Sequence, residues 1–471
     1  MLFSMIILFS ISALAAVVWG IAFLRFGGAL SVALMTLAAG IVFGPEFFQI
    51  SLLTLDRLLV GVLVVAYVLL RRSELFEPKS LCTWDLVFIA FLGWLTFSTV
   101  THDWRAENMK AASRLIFYYL FPAAMYWIGR ESSASPKTLR GLYLAVASFG
   151  LYLAITSIAE WKQIYGIVFP RYIINSASTE FLGRGRGPLL NPSGNGIMLC
   201  LGMGSLLMMW PRMGKTGRIG LAMAFGVFCL GVLGTLTRCV WLGAAMGVGT
   251  VILLAFPKRL KFGVIVSGTL IMSLLVGLNW QNLKQFKRDK NVSAADMAQS
   301  ASIRPVLAYI AWEMFKDKPI AGVGFGQYKQ HDKFYFERGR TNLNLEIGRP
   351  YHQHNVFLTV LTETGLIGMN LQVLVLLIWC RAARALFRHE SAPPETRQLG
   401  LLFLVLMCAY FANGMFQDVT IVPMVHMTLF FFAGLTVGQY LKHHPAGQDL
   451  QSAFHRVVHS SAQHPPISQN L

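Results

Sequence analysis

The chain has 471 residues, 55% of them hydrophobic and only 13% charged, with a formal net charge of +18. A soluble domain carries about 25% charged residues, so a water-soluble globular protein is excluded, and a nucleic-acid binder with it. Apolar runs that reach or approach the ~20 residues needed to cross a bilayer recur along the chain and predict an all-α polytopic membrane bundle of about 12–13 spans.

The expected spans, in order, are 2–23, 27–44, 52–70, 84–100, 113–129, 140–160, 188–210, 219–236, 239–256, 262–279, 355–380, 399–417 and 422–441. No basic residue precedes Arg25, and the opening run is too long for the apolar core of a cleaved signal, so it reads as membrane-embedded. Phe26-Gly27-Gly28 interrupts the first two runs, which form either two crossings or one crossing with a short inserted piece. Cations then fall in alternate loops: Arg71, Arg72 and Lys79; Arg130, Lys137 and Arg140; Arg212, Lys215 and Arg218; Lys258, Arg259 and Lys261; Arg381, Arg384, Arg388 and Arg397. By the positive-inside rule these loops are cytoplasmic, and 101–112, 161–187 and 281–354 lie outside. The remaining basic residues point to anionic lipid head groups or a phosphate-bearing substrate. The expected organisation is an N-terminal transmembrane bundle over 1–280, a large outer loop over 281–354, C-terminal transmembrane helices over 355–441 and a disordered cytoplasmic tail over 442–471. The six cysteines lie in or beside apolar spans without metal-ligand spacing and read as packing residues.

Within the outer loop, 305–316 is expected to be helical. Pro305 suits a first helical position, and Val306, Leu307, Ile310, Met314 and Phe315 form an apolar stripe that rests on the membrane or caps a cavity. Gly322-x-Gly324-x-Gly326 follows no strand and reads as a flexible turn rather than a phosphate loop.

The candidate chemistry gathers on the outer side. His354 stands at the lip of the span that follows it, where an imidazole can take a proton from a hydroxyl. Counted as helix, His354, Leu358, Leu361, Gly365 and Gly368 share one face, and the two glycines admit a neighbouring helix below the histidine. Asn355, Thr359 and Thr362 make an adjacent polar face. The plainer reading of His354 is an interfacial cap. Arg238 closes Thr235-Leu236-Thr237-Arg238 between two spans, where its fork suits phosphate oxygens or snorkels to head groups. Arg304 precedes Pro305, where a helix N-terminus adds to its attraction for anions, or it is a solvated cation. Arg184 and Arg186 lie in GRGRGPLLNPSGNG with Asn191, Ser193 and Asn195, either a sugar or phosphate site or an irregular helix start. Glu363, about 13 Å below the lip by helical rise, needs a partner, for which Arg238 is the expectation. His331, Asp332, His352 and His354 fit no standard metal-site spacing. Asp103, Gln417 and Asp418 sit at outer span ends without a ranking among them.

His354-Asn355, nine residues and Gly365-Leu-Ile-Gly368 together resemble the His-polar-x9-GxxG pattern of the O-antigen ligase and polymerase family of bacterial membrane glycosyltransferases. Lys318-Pro319 running into Gly322, Gly324 and Gly326 is similar to that family's loop, as are Asn191-Pro192 opening a span and Thr-x-Thr-Arg238 closing one. The likeness is strongest over 180–380. Family ligases often carry two threonines after the second glycine, and here Met369 and Asn370 stand instead. The resemblance implies a multi-pass protein of the bacterial inner membrane with its active site facing the periplasm. It implies transfer of a glycan from an undecaprenyl diphosphate carrier to lipid A–core sugar, or to another lipid-linked repeat in a polymerase. It further implies no cofactor or metal, a catalytic His354, diphosphate-binding Arg238 and Arg304, and membrane lipids but no nucleic acid as partners. An exporter of lipid-linked sugars is the rival of a different class, although no repeated halves are visible. A scaffold recruiting other envelope enzymes is a third reading.

Overall fold

The computed structural model describes residues 28–44, 49–50, 53–72, 76–175, 181–257, 261–263, 270, 294–339 and 341–444. The expected spans 2–23 and, but for a few residues, 262–279 lie outside the described residues, as does the tail beyond 444.

The described chain is a helical bundle, with strand confined to a two-residue hairpin, β1 (Gln49–Ile50) and β2 (Leu53–Thr54). Helices α1 (Ala29–Val42) and α2 (Leu55–Leu70) are followed by α3 (Thr83–Val100). A π turn over Ile116–Leu120 joins α4 (Ala106–Leu115) to α5 (Phe121–Glu131). Next come α6 (Pro136–Trp161), α7 (Pro192–Met209), α8 (Lys215–Gly234) and α9 (Arg238–Ala255). The outer segment holds α10 (Ala294–Asp317) and α11 (Tyr328–Arg338), and α12 (Val356–Arg388), α13 (Pro394–Gly414) and α14 (Pro423–His443) complete the bundle. Among the described residues, eight helices are long and apolar enough to cross a membrane. The protein is therefore multi-pass.

Glycine sets the close approaches, since in lipid van der Waals packing of small residues brings helices together. Helix α14 is buried almost throughout and runs against α5. There Gly434 meets the carbonyl of Tyr126, and Gly438 meets that of Arg130. One end of the bundle collects paired charge. Arg130 reaches Asp85 at 2.6 Å with both side chains fully buried. Arg71 grips Glu131 through two nitrogens at 2.7 Å, and Arg140 and Arg212 share Glu395. This is the end that the loop charges assign to the cytoplasm.

At the other end, α12 carries the main departure from regular helix. Gly365 sits at φ 66°, ψ −165°, inside a 33-residue element. Residues 366–388 alone span roughly 34 Å at 1.5 Å per residue, enough for a ~30 Å hydrocarbon core. The stretch from Val356 to Thr364 is thus a stub before the span, and Glu363 lies near its end. The break frees backbone groups, and the glycine loop takes them up. Val323 and Gly324 donate to the carbonyls of Thr362 and Glu363 at 3.0 and 2.9 Å, and Leu366 donates to Pro319 at 2.8 Å. Trp94 Nε1 donates to the Thr364 carbonyl at 3.0 Å. Phe325 donates to Ser98 Oγ, and Gln327 Nε2 to the Asp103 carbonyl. The loop is therefore a docked strap, which corrects the reading of a flexible turn. It is also the strap's backbone, not a neighbouring helix, that approaches Gly365.

Two further expectations are corrected. Helix α10 begins well before 305 and carries Pro305 in its interior, so Arg304 does not gain from a helix N-terminus. Its stripe of Val306, Leu307, Ile310 and Met314 is buried with Val323, Tyr328, Phe336 and Leu345 in a small second core. That apolar face is thus covered by protein.

Candidate functional site

His354 is not helical. It precedes the helix at φ 49°, the left-handed region, half buried and with its ring 5.8 Å from that of Tyr351. Asn355 makes this possible by closing the helix. Its Oδ1 accepts from Phe357 and Leu358 backbone N–H at 2.9 and 3.0 Å, the bonding of a helix N-cap. Its Nδ2 donates to the Met415 carbonyl at 2.9 Å. Both ends of the Asn355 amide are engaged in the fold, so it positions the histidine backbone rather than gripping a ligand. A left-handed non-glycine residue is a place to look for function.

The charged groups felt by the imidazole are Arg304 and Asp418. Burial first, and Arg304 second, hold the His354 pKa below its ordinary value of 6.5, with Asp418 opposing them. The ring is therefore a neutral acceptor at neutral pH. Arg304 is exposed on α10 and lies 5.6 Å from the Phe416 ring centroid. Its charge also bears on Cys239, the residue after Arg238. Arg238 is the first residue of α9 and exposed, following Leu236 at φ 49° and the extended Thr237. The three residues His354, Arg304 and Arg238 therefore stand at one end of the bundle.

The other sequence candidates fall elsewhere. Arg186 is fully buried and donates to the Ile173 carbonyl at 2.6 Å. Glu160 accepts from the backbone N–H of Arg186 and Gly187. Asn191 caps α7 through Gly194, and Asn195 binds Ser157 and the Gly185 carbonyl. The segment is an irregular helix start, which corrects the assignment of Arg186 to substrate. Arg184 is partly exposed and stacks over Phe181 at 5.4 Å. Glu363 pairs with Arg114 at 2.9 Å and accepts from Gly326 N–H at 3.0 Å. Its partner is thus Arg114 and not Arg238.

A cavity of about 350 Å³ opens beside this end, bounded by Arg57, Lys110, Arg114, Lys329, His352 and Asp418 among others. None of its four cations was singled out from sequence. Arg114 alone left a signal, as an arginine just inside an apolar run, where an ionised group is costly unless partnered. Partial burial, with repulsion from Lys329, Lys110 and Arg114, lowers His352 to about 4. All six cysteines are free.

No curated protein matches the chain. Residues 221–373, which contain Arg238, Arg304, the docked glycine strap and His354, match the family model Wzy_C, described as O-Antigen ligase. Over that segment the chain is similar to the O-antigen ligase family.

Proposed function

We propose that the protein transfers a glycan from an undecaprenyl diphosphate carrier to an acceptor hydroxyl at the periplasmic face of the bacterial inner membrane, as an O-antigen ligase does. His354 takes the proton from the acceptor hydroxyl, and the freed oxygen attacks the anomeric carbon. The carbon–oxygen bond to the diphosphate breaks, and the leaving group departs with the bonding pair. Arg238 and Arg304 hold that diphosphate, whose negative charge grows as the bond breaks, so fixed guanidinium groups stabilise the transition state. The observation that carries this reading is His354 itself: a half-buried imidazole at φ 49°, before the helix, kept neutral by burial and by the charge of the exposed Arg304. An exporter has no acceptor hydroxyl for such a base to deprotonate. In proteoliposomes holding the purified protein, donor and acceptor, glycan joins the acceptor. Donor that crosses the membrane without joining would favour the exporter.

Lysine is expected to replace Arg238 poorly. It keeps the charge but loses the two-pronged fork, so Arg238→Lys should retain less than about a tenth of transfer, as the loss of one charge-assisted contact of ~1.5–3 kcal/mol requires. Full activity in Arg238→Lys would remove the clamp.

The pH dependence follows from the sign of the His354 shift. A base works when deprotonated, and a lowered pKa extends that form to lower pH, so the acid limb of kcat/KM should lie below 6.5. Asp418→Asn deletes a charge that favours the imidazolium, so the limb moves to lower pH. Arg304→Gln deletes one that opposes it, so the pKa rises, which NMR titration of the His354 ring reads without turnover. Shifts in the same direction for both variants would mean that these charges do not act on His354.

A further inference from the structure

The proposed reaction joins two molecules, and Arg238 and Arg304 account for the donor. The acceptor needs its own place, within reach of the His354 imidazole and open to water. The 350 Å³ cavity is the candidate: Gln353, the residue before His354, and Thr359 are in its wall, although the His354 ring itself is not. His352 in its wall is two residues from His354, and the Asp418 carboxylate bears on both imidazoles. Lys110 and His352 are exposed, so the cavity is reached from solvent. Its size is at the lower end of small-molecule pockets, about 300–1,000 Å³, suited to roughly one or two sugar rings.

Its chemistry is selective. Arg57 from α2, Lys110 and Arg114 from α4, and Lys329 from α11 line it with the carboxylates of Glu363 and Asp418, so cations exceed carboxylates in the wall, with Arg114 paired to Glu363 and Lys329 to Asp332. Burial first, and the charges of Lys329, Lys110 and Arg114 second, depress the pKa of His352 in this wall. Tyr328 is 1% exposed and forms part of the wall.

We infer that this cavity is the acceptor subsite, and that it takes a sugar bearing a carboxylate or phosphate. The cations hold the acid, and the ring presents its reacting hydroxyl toward His354. The assignment rests on the transfer reaction proposed above.

Binding to the full-length protein in lipid nanodiscs tests it, with glucuronic acid, glucose 6-phosphate, glucose and inorganic diphosphate as probes. The two acidic sugars should bind about tenfold or more tightly than glucose, one charge-assisted contact being worth that much. Lys110→Ala, at an exposed helix position, and Lys329→Ala should each erase this preference, whereas Arg238→Ala should leave it intact. Diphosphate binding should follow the opposite pattern. Equal binding of acidic and neutral sugars, or a preference that survives both lysine changes, would overturn the subsite. Diphosphate binding lost in Lys110→Ala and kept in Arg238→Ala would give the cavity to the donor instead. If only the sugar preference behaves as expected, with diphosphate indifferent to Arg238, the acceptor subsite stands and the donor clamp falls.

Discussion

His354→Ala is expected to lower glycan transfer by about a hundred- to ten-thousandfold, the usual contribution of a general base. The protein should still insert and fold. The imidazole is half buried, outside the helix, and its ring contact is with Tyr351, so its loss removes little packing. The capping bonds of Asn355 remain, since they run from Asn355 to Phe357, Leu358 and Met415. The check is transfer in proteoliposomes beside the thermal denaturation midpoint of the purified protein. A large drop in transfer with an unchanged midpoint assigns His354 to chemistry. A parallel fall in both would make it a structural cap, the plainer reading of the sequence.

Gly365→Ala should damage the protein in the other way, through the fold. The backbone there lies in a region that is essentially glycine's alone, and any other residue costs about 1–3 kcal/mol. A Cβ would also overlap the Ile320 carbonyl of the docked strap, and forced overpacking costs about 1–3 kcal/mol more. The strap must lift, and with it the Gly326 N–H bond that steadies Glu363 against Arg114. A lowered denaturation midpoint and lost transfer are the expected results. Gly368 provides the contrast: a Cβ there first meets the Thr364 side chain, not strap backbone, so Gly368→Ala should be milder. Equal tolerance of alanine at both positions would mean that the break in α12 is not needed.

The spans were legible because lipid leaves few options. Backbone groups in a bilayer must be bonded within the segment, so long apolar runs are helices. The expected runs at 84–100, 219–236, 239–256 and 422–441 fall on α3, α8, α9 and α14 within a few residues. The outer site was legible only where one local pattern carries it. His354 and Asn355 stand where a span begins, and Arg238 between two spans, so both could be placed from sequence. Gly365 could not. Two glycines three apart in an apolar run read as a helix-packing seam, and nothing local marks the first as a left-handed break. Arg57, Lys110 and Lys329 were also out of reach. They come from three elements far apart in the chain, and each alone is an ordinary cation near a span end. A carboxylate at Glu363, inside an apolar run, needs a partner, but which arginine reaches it depends on the docking of α4.

The most direct measurement is a cryo-EM structure of the protein with undecaprenyl diphosphate. The diphosphate should lie between Arg238 and Arg304, on the same side as His354, with the imidazole facing the position of the sugar-bearing oxygen. Density for the diphosphate at the opposite end of the bundle, or bound without either arginine, would contradict the account.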